Sequence, residues 1–319
     1  MATDDINVLA IAGPTASGKS ALALDLAEAR GGVVVNADSM QVYGELRILT
    51  ARPGRDALAR APHRLYGILP AAQACSAARW RRLALAEIAV AHRDGRLPIL
   101  AGGTGLYLRA LIEGLSPVPD IADDIRAEAT ARHAALGGER FRAELALVDP
   151  QMAARLHAGD TQRLIRAWEV VRATGRSLAD WQSQPRVGAP EGLRFAVIVL
   201  DPPRHQLYAA CDSRFLRMID DGAVEEVRAL AALGLPPGLP AMKALGVPEL
   251  MGVIDGRLTL AAAVAGAQTA TRRYAKRQST WFRHQRPRDA AGLRRWTVIP
   301  AQYSESTAHR ILSDLCRGN

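Results

Sequence analysis

One eight-residue run, Gly13, Pro14, Thr15, Ala16, Ser17, Gly18, Lys19 and Ser20, constrains this chain more than any other feature. It has the form GxxxxGKS, follows the apolar run Val8 to Ala12, and opens a helical pattern from Lys19 to Arg30. A strand that turns on glycines into a helix aims backbone N–H groups and a helix N-terminus at one point, so the segment predicts a cradle for a di- or triphosphate. Lys19 adds a positive charge there and Ser20 a hydroxyl for Mg²⁺. All eight residues are expected to bind a diphosphate, as in nucleotide-binding and ATP-binding loops.

The surrounding pattern fits an α/β fold with a P-loop NTPase-like parallel sheet. Val33 to Val35 and Leu97 to Leu100 read as further buried strands, and ligands of such sheets sit beyond the carboxyl ends of the strands. The rhythm breaks after Pro117. Ile121 to Leu136, Arg140 to Leu147, Gln151 to His157 and Thr161 to Thr174 read as helices with no strand between them. Phe195 to Leu200 then resumes as a strand, followed by helices at Arg204 to Asp221 and Val224 to Leu233 and two more from Leu250 to Arg286. The expected organisation is a core at 1–117, an inserted all-helical domain at 118–192, and completion of the core with basic helices at 193–319.

Composition narrows the class. The 319 residues are 49% hydrophobic and 23% charged, which excludes a disordered or fibrous chain. Lys and Arg number 41 against 32 Asp and Glu, a net charge of +9 that favours a polyanionic partner such as nucleic acid. Cys75, Cys211 and Cys316 lie far apart with no CxxC pair, and the seven histidines show no ligand spacing, so no protein metal cluster is expected. The longest uncharged stretches fall short of the ~20 residues a bilayer needs, and Asp4 and Asp5 replace a basic leader. A cytoplasmic monomer with no membrane span is expected.

An ATPase or kinase would end a neighbouring apolar strand in a metal-organising Asp. Here Leu97 to Leu100 ends instead in Ala101, Gly102, Gly103 and Thr104. Asp201 precedes Pro202 and Pro203 and reads as a turn former. Asp38 ends a strand expected to pack close to the phosphate-loop strand and so to point toward the same crevice, the alternative being that it caps the next helix.

At this point the residues match a family. Asp38, Ser39, Met40, Gln41, Val42, Tyr43 with Thr50, Ala51, Arg52, Pro53 resembles the DSMQVY…GTAKP stretch of the tRNA dimethylallyltransferases, also called isopentenyl-tRNA transferases. Ala61 to His63 resembles their APH, and Gly102 to Tyr107 their GGTGLY. Asp160, Arg163, Arg166, Ala167 and Glu169 resemble their DxxRxxRAxE helix, and Thr271 to Arg283 is similar to their TRxYAKRQxTWFR segment.

The resemblance implies transfer of a dimethylallyl group from its diphosphate to N6 of the adenosine 3′ of certain tRNA anticodons. It also implies Mg²⁺ and a helical insertion that grips the anticodon stem-loop. The adenine amine is a poor nucleophile, which makes Asp38 the candidate base. Lys19 and, by resemblance, Arg214 and Thr104 would serve the departing diphosphate. The same likeness points to RNA contacts at Asp38, Ser39, Met40, Gln41 and Thr104, at Arg126, Gln162, Arg163, Leu164, Ile165 and Arg166, and at Met242, Lys243, Ala244, Leu245, Gly246 and Val247. Lys276, Arg277, Gln278 and Arg283 join them from a stretch with seven basic residues and no acidic one between Thr271 and Arg288. Aromatic residues are only 5% of the chain, so phosphate and base-edge contacts should outweigh stacking. Tyr274 and Trp281 are expected in the core.

The chain departs from the family pattern at Leu49 (for Gly), Arg52 (for Lys), Gly67 (for Asp), Ala210 (for Arg) and in Gly246 to Glu249, which stands for GYKE. Two other classes remain open, a P-loop small-molecule or nucleotide kinase and a nucleotide-gated RNA-binding protein without chemistry.

Overall fold

A computed structural model describes residues 6–287 and 290–304; Asp4, Asp5, Arg288, His309 and Cys316, invoked above, lie outside them. The chain forms two compact units, one built from the segments up to Ile112 and from Pro190 onward, the other from Glu113–Ala189.

The first unit is built on six parallel strands: β1 (Val8–Ala12), β2 (Val33–Asn36), β3 (His63–Arg64), β4 (Pro98–Gly102), β5 (Phe195–Leu200) and β6 (Leu293–Ile299). They lie in the order β3-β2-β4-β1-β5-β6. The four inner strands are buried on both faces, which is why they read as unbroken apolar runs. Alternate residues divide between two cores. Val8, Ala10, Ala12, Leu100 and Val197 face one, and Leu9, Ile11, Ile99 and Ile198 face the other.

Helices of this unit are α1 (Lys19–Arg30), α2 (Arg55–Arg60), α3 (Ala77–Arg93) and α4 (Gly105–Glu113) before the second unit. The second unit holds α5 (Asp123–Val148), α6 (Pro150–Arg155), α7 (Thr161–Thr174) and α8 (Leu178–Ser183). After it come α9 (Arg204–Asp220), α10 (Ala223–Ala231), α11 (Val247–Ile254) and α12 (Leu260–His284), with a 3₁₀ turn at Ala241–Lys243. α1 packs Leu22 and Leu26 on one face of the sheet, while α3, α9, α10, α11 and α12 contribute Trp80, Phe215, Val227, Leu250 and Phe282 to the other.

The second unit has its own core around Phe141, Leu145, Leu164, Trp168 and Val170. Asp149 anchors it: the carboxylate caps α6 through Met152 N–H and accepts the Ser177 hydroxyl at 2.9 Å. Two expected helices, Ile121 to Leu136 and Arg140 to Leu147, run together as α5 across a break at Gly137, whose φ of 73° is left-handed.

Register sets the site. Ala12 pairs with Gly102 on one side and Val199 on the other, and Asn36 pairs with Ala101. The carboxyl ends of β1, β4, β5 and β2 therefore lie together, and the turns that leave them, 13–20, 103–105, 201 and 37–41, share one edge.

Candidate active site

The phosphate loop occupies that edge. Lys19 is buried beside it and donates from Nζ to the Pro14 carbonyl at 3.2 Å. Burial pulls its pKa down to about 8, opposed by the negative charge of Asp38 and reinforced by the Arg214 guanidinium. Arg214 reaches over from α9 to donate to Thr15 Oγ1, and burial lowers its pKa too. Ser20 is exposed at the first turn of α1, whereas Ser17 is wholly buried with its Oγ unpartnered among the described residues.

Facing these cations is Asp38, two residues beyond β2. Buried Asn36 clamps it, accepting Asp38 N–H at 2.8 Å and donating to Asp38 C=O at 3.0 Å. Asp38 Oδ1 accepts the Met40 N–H at 2.9 Å. Thr104 ties the β4 turn to this segment, its Oγ1 accepting Ser39 N–H at 2.9 Å and donating to Ser39 Oγ at 3.3 Å.

A cavity of about 290 Å³ lies between acid and cations. Thr15, Asp38, Ser39, Arg214, Lys243 and Arg277 form its polar wall; Met40, Leu49, Phe215, Met218, Ala244 and Leu245 form its apolar wall. An anion, a small apolar group and a proton acceptor thus have neighbouring places. Tyr274, expected in the core, lines the cavity instead, with the Arg277 guanidinium 5.5 Å over its ring; burial and the charge of Asp38 raise its phenol pKa.

The model of the IPP transferase family matches residues 41–285 of the sequence. The chain belongs to this family. A tRNA dimethylallyltransferase of Rhodospirillum centenum is 65% identical over 278 residues, 87% of this chain and 88% of the relative. Another, from Paramagnetospirillum magneticum, is 57% identical over 285 residues, 89% of this chain and 90% of the relative. The fold is similar to that of the full-length tRNA isopentenylpyrophosphate transferase of Bacillus halodurans, with a TM-score of 0.66, 30% identity, and coverage of 98% and 97% of the two chains. A crystallised eukaryotic dimethylallyltransferase acting on tRNA superposes with a TM-score of 0.72 at 24% identity, over 87% of this chain and 70% of that one, a likeness of fold. Membership of this family makes the chain an enzyme, a transferase.

Several expected RNA contacts have other work. Gln278 is only 5% exposed: its Oε1 accepts Thr15 N–H at 2.7 Å and its Nε2 donates to Gly103 C=O at 2.9 Å, so it joins the phosphate loop to the β4 turn. A Cβ on Gly103 would come within 2.1 Å of that amide, and one on Gly105 within 2.1 Å of the Trp281 ring, which is why α12 seats so closely here. Leu164 and Val247 have no exposed surface and serve hydrophobic cores. Gly246 is buried against Phe215 and Leu49, and Ala244, nearly buried, lines the cavity. Of the basic residues on α12, Arg272 is paired with Asp212 and Arg283 with Asp201, which is thus more than a turn former. Lys276 and Arg277 are exposed, as are Lys243 and Arg283.

In the second unit Gln162 and Arg163 are exposed on α7, and Ile165 and Arg166 are half-buried. Buried Glu169 joins Arg126 of α5 at 3.5 Å to Arg166 at 3.1 Å, holding two guanidiniums side by side at the surface. On the first unit Ser39, Met40 and Met242 are half-buried, and Gln41 donates to the carbonyls of Thr50 and Ala51, bracing the loop that carries Leu49. Glu226 of α10 holds the same loop by accepting the N–H groups of Arg47, Ile48 and Leu49, a role with no sequence signature.

Proposed function

We propose that the chain transfers the dimethylallyl group of dimethylallyl diphosphate to N6 of the adenosine on the 3′ side of the tRNA anticodon, giving N6-isopentenyladenosine and diphosphate. The observation that carries this reading is a cavity lined by Asp38, Arg214 and apolar side chains, with the buried Lys19 close enough to feel the charges of both Asp38 and Arg214. The diphosphate lies on the loop 13–20 with Lys19 and Arg214, and the five-carbon group lies against the apolar wall. As the N6 nitrogen bonds to the prenyl C1, the C1–O bond breaks and its electron pair leaves with diphosphate. Asp38 takes the N6 proton, which spares the adenine an unfavourable positive charge. Thr104, bonded to Ser39 at the acid's turn, would turn its hydroxyl to the scissile oxygen. The fixed cations and amides take up the charge that develops on the leaving group.

The residues suit Mg²⁺. Among the described residues no group of three His, Cys, Asp or Glu side chains could hold a metal, while Ser20 offers a hydroxyl on the phosphate loop. A hard cation held mainly by water and phosphate oxygens needs little more. Ser20 would ligate it, and when bound it neutralises diphosphate charge.

The target base must leave its stack to enter the cavity, at a cost of a few kcal/mol. In the second unit Arg126, Arg163 and Arg166 supply positive charge for tRNA phosphates and Gln162 a neutral amide; in the first unit Lys243, Lys276 and Arg277 supply positive charge of their own. Among the described residues no helix is long and apolar enough to cross a membrane, and a tRNA substrate suits a cytoplasmic enzyme.

The test is incubation of the purified protein with unmodified tRNA and labelled dimethylallyl diphosphate. Nucleoside mass spectrometry should find adenosine carrying one five-carbon unit. Unchanged tRNA, or phosphoryl transfer from ATP in its place, would overturn the reading in favour of the kinase class.

A further inference from the structure

Beyond β6 the chain turns back over the outer side of the phosphate loop. Gln302 Nε2 donates to the Ala16 carbonyl at 2.6 Å, and the Tyr303 N–H donates to the Ser17 carbonyl at 3.2 Å. The Tyr303 side chain rests on Gly18, where a Cβ would lie 2.2 Å from that of Tyr303, and its hydroxyl donates to the Asp25 carboxylate on α1. Three consecutive loop residues and the helix behind them are thus held by two residues from the far end of the described chain. The match to the family model ends at residue 285, before this segment.

The geometry has a direct effect on anion binding. Carbonyl and N–H of one trans peptide point in opposite directions. Because the Ser17 carbonyl is held by Tyr303, the Gly18 N–H of the same peptide points to the opposite side, the side on which the loop would take an anion. Ala16 has a φ of 63°, a left-handed conformation that a non-glycine residue adopts only when its surroundings impose it. The bond from Gln302 to the Ala16 carbonyl is one of the constraints that impose it. Gln302 keeps that bond although its own Oε1 is buried without a partner among the described residues.

We propose that Gln302 and Tyr303 are positioning residues that pre-organise the phosphate loop for the prenyl donor's diphosphate. The inference rests on the reading that the loop holds that diphosphate. Without the strap Ala16 relaxes and the peptides at Ser17 and Gly18 are free to rotate, so part of the binding energy is lost in reordering them.

The experiment uses the full chain and titrates inorganic diphosphate by calorimetry, with donor and tRNA kinetics alongside. Gln302→Ala and Tyr303→Ala should each weaken diphosphate about five- to tenfold, the value of one or two lost hydrogen bonds. The KM for the donor should rise by the same factor, while kcat and the KM for tRNA stay within about twofold. Tyr303→Phe loses the hydroxyl bond to Asp25 but keeps the ring on Gly18, and should fall between. A strap that is merely structural would lower melting temperature and tRNA parameters together and leave diphosphate affinity per folded molecule unchanged; that result overturns the inference. Failure of the unaltered protein to bind diphosphate would instead overturn the reading of the loop, and the inference with it.

Discussion

The two compact units treat their charges in opposite ways. Beside the cavity of the sheet unit two cations are withdrawn from water: Lys19 is 9% exposed and Arg214 is half-buried, both with lowered pKa values, and Asp38 faces them. In the helical unit the cations stay at the surface, with Arg163 76% and Arg126 54% exposed, and the buried member is the carboxylate of Glu169. Charges in a dry pocket interact strongly and are fixed before substrate arrives, which suits bond making and breaking. Charges in water act over a distance and are screened by salt, which suits capture of a polyanion. The buried charges around the cavity suit chemistry, and the exposed cations of either unit suit attraction.

That contrast can be broken at Asp38. Asp38→Asn keeps the Met40 hydrogen bond and the fold but removes the base. It should lower kcat by about 10²- to 10⁴-fold, with tRNA affinity unchanged in filter binding. A variant that retains normal turnover would remove Asp38 from the mechanism.

The opposite variant sharpens the other half. Arg163 has only a 4.0 Å approach to Asp160, so Arg163→Ala should leave stability unchanged. Binding to tRNA should weaken about fivefold at physiological salt, and the slope of log K against log salt should fall by about one. Turnover at saturating tRNA should not move, and a fall in kcat would contradict the separation of roles.

The smallest expected effect is a pH dependence confined to the sheet unit. With its pKa pulled down to about 8, Lys19 loses its charge as pH rises through that value, and diphosphate binding weakens on the alkaline side. Between pH 7 and pH 8.5 the charged fraction falls about fourfold, so the donor dissociation constant should rise by that factor. Lys19→Arg, always charged, should flatten the profile.

Much of the sheet unit was legible because its signals are local. The phosphate loop, the inner strands and the break into helices after Pro117 are written in contiguous periodicity. β6, by contrast, reads Leu-Arg-Arg-Trp-Thr-Val-Ile and is exposed over most of its length; only pairing with β5 makes it a strand. β3 is two residues long and α8 six, too short for a period to show. The seven basic residues around α12 suggested a face for RNA, yet two of them are paired with Asp212 and Asp201 on other elements. Two departures from the family pattern turn out to be one. A Cβ on Gly67 would lie 1.6 Å from Arg52 Nη1, and that guanidinium donates to the carbonyls of Tyr43 and Gly44, so the larger cation at 52 occupies space that a side chain at 67 would need.

The bond between Thr15 and Gln278 closes over 263 positions of chain, and that between Ala16 and Gln302 over 286. Contacts of such separation carry the largest loop-closure entropy and form late, after local helices and neighbouring strands have settled. Donor affinity should therefore appear in the slowest phase of refolding, well after helical circular dichroism has recovered. A partly folded molecule would hold its helices and still have no grip on diphosphate.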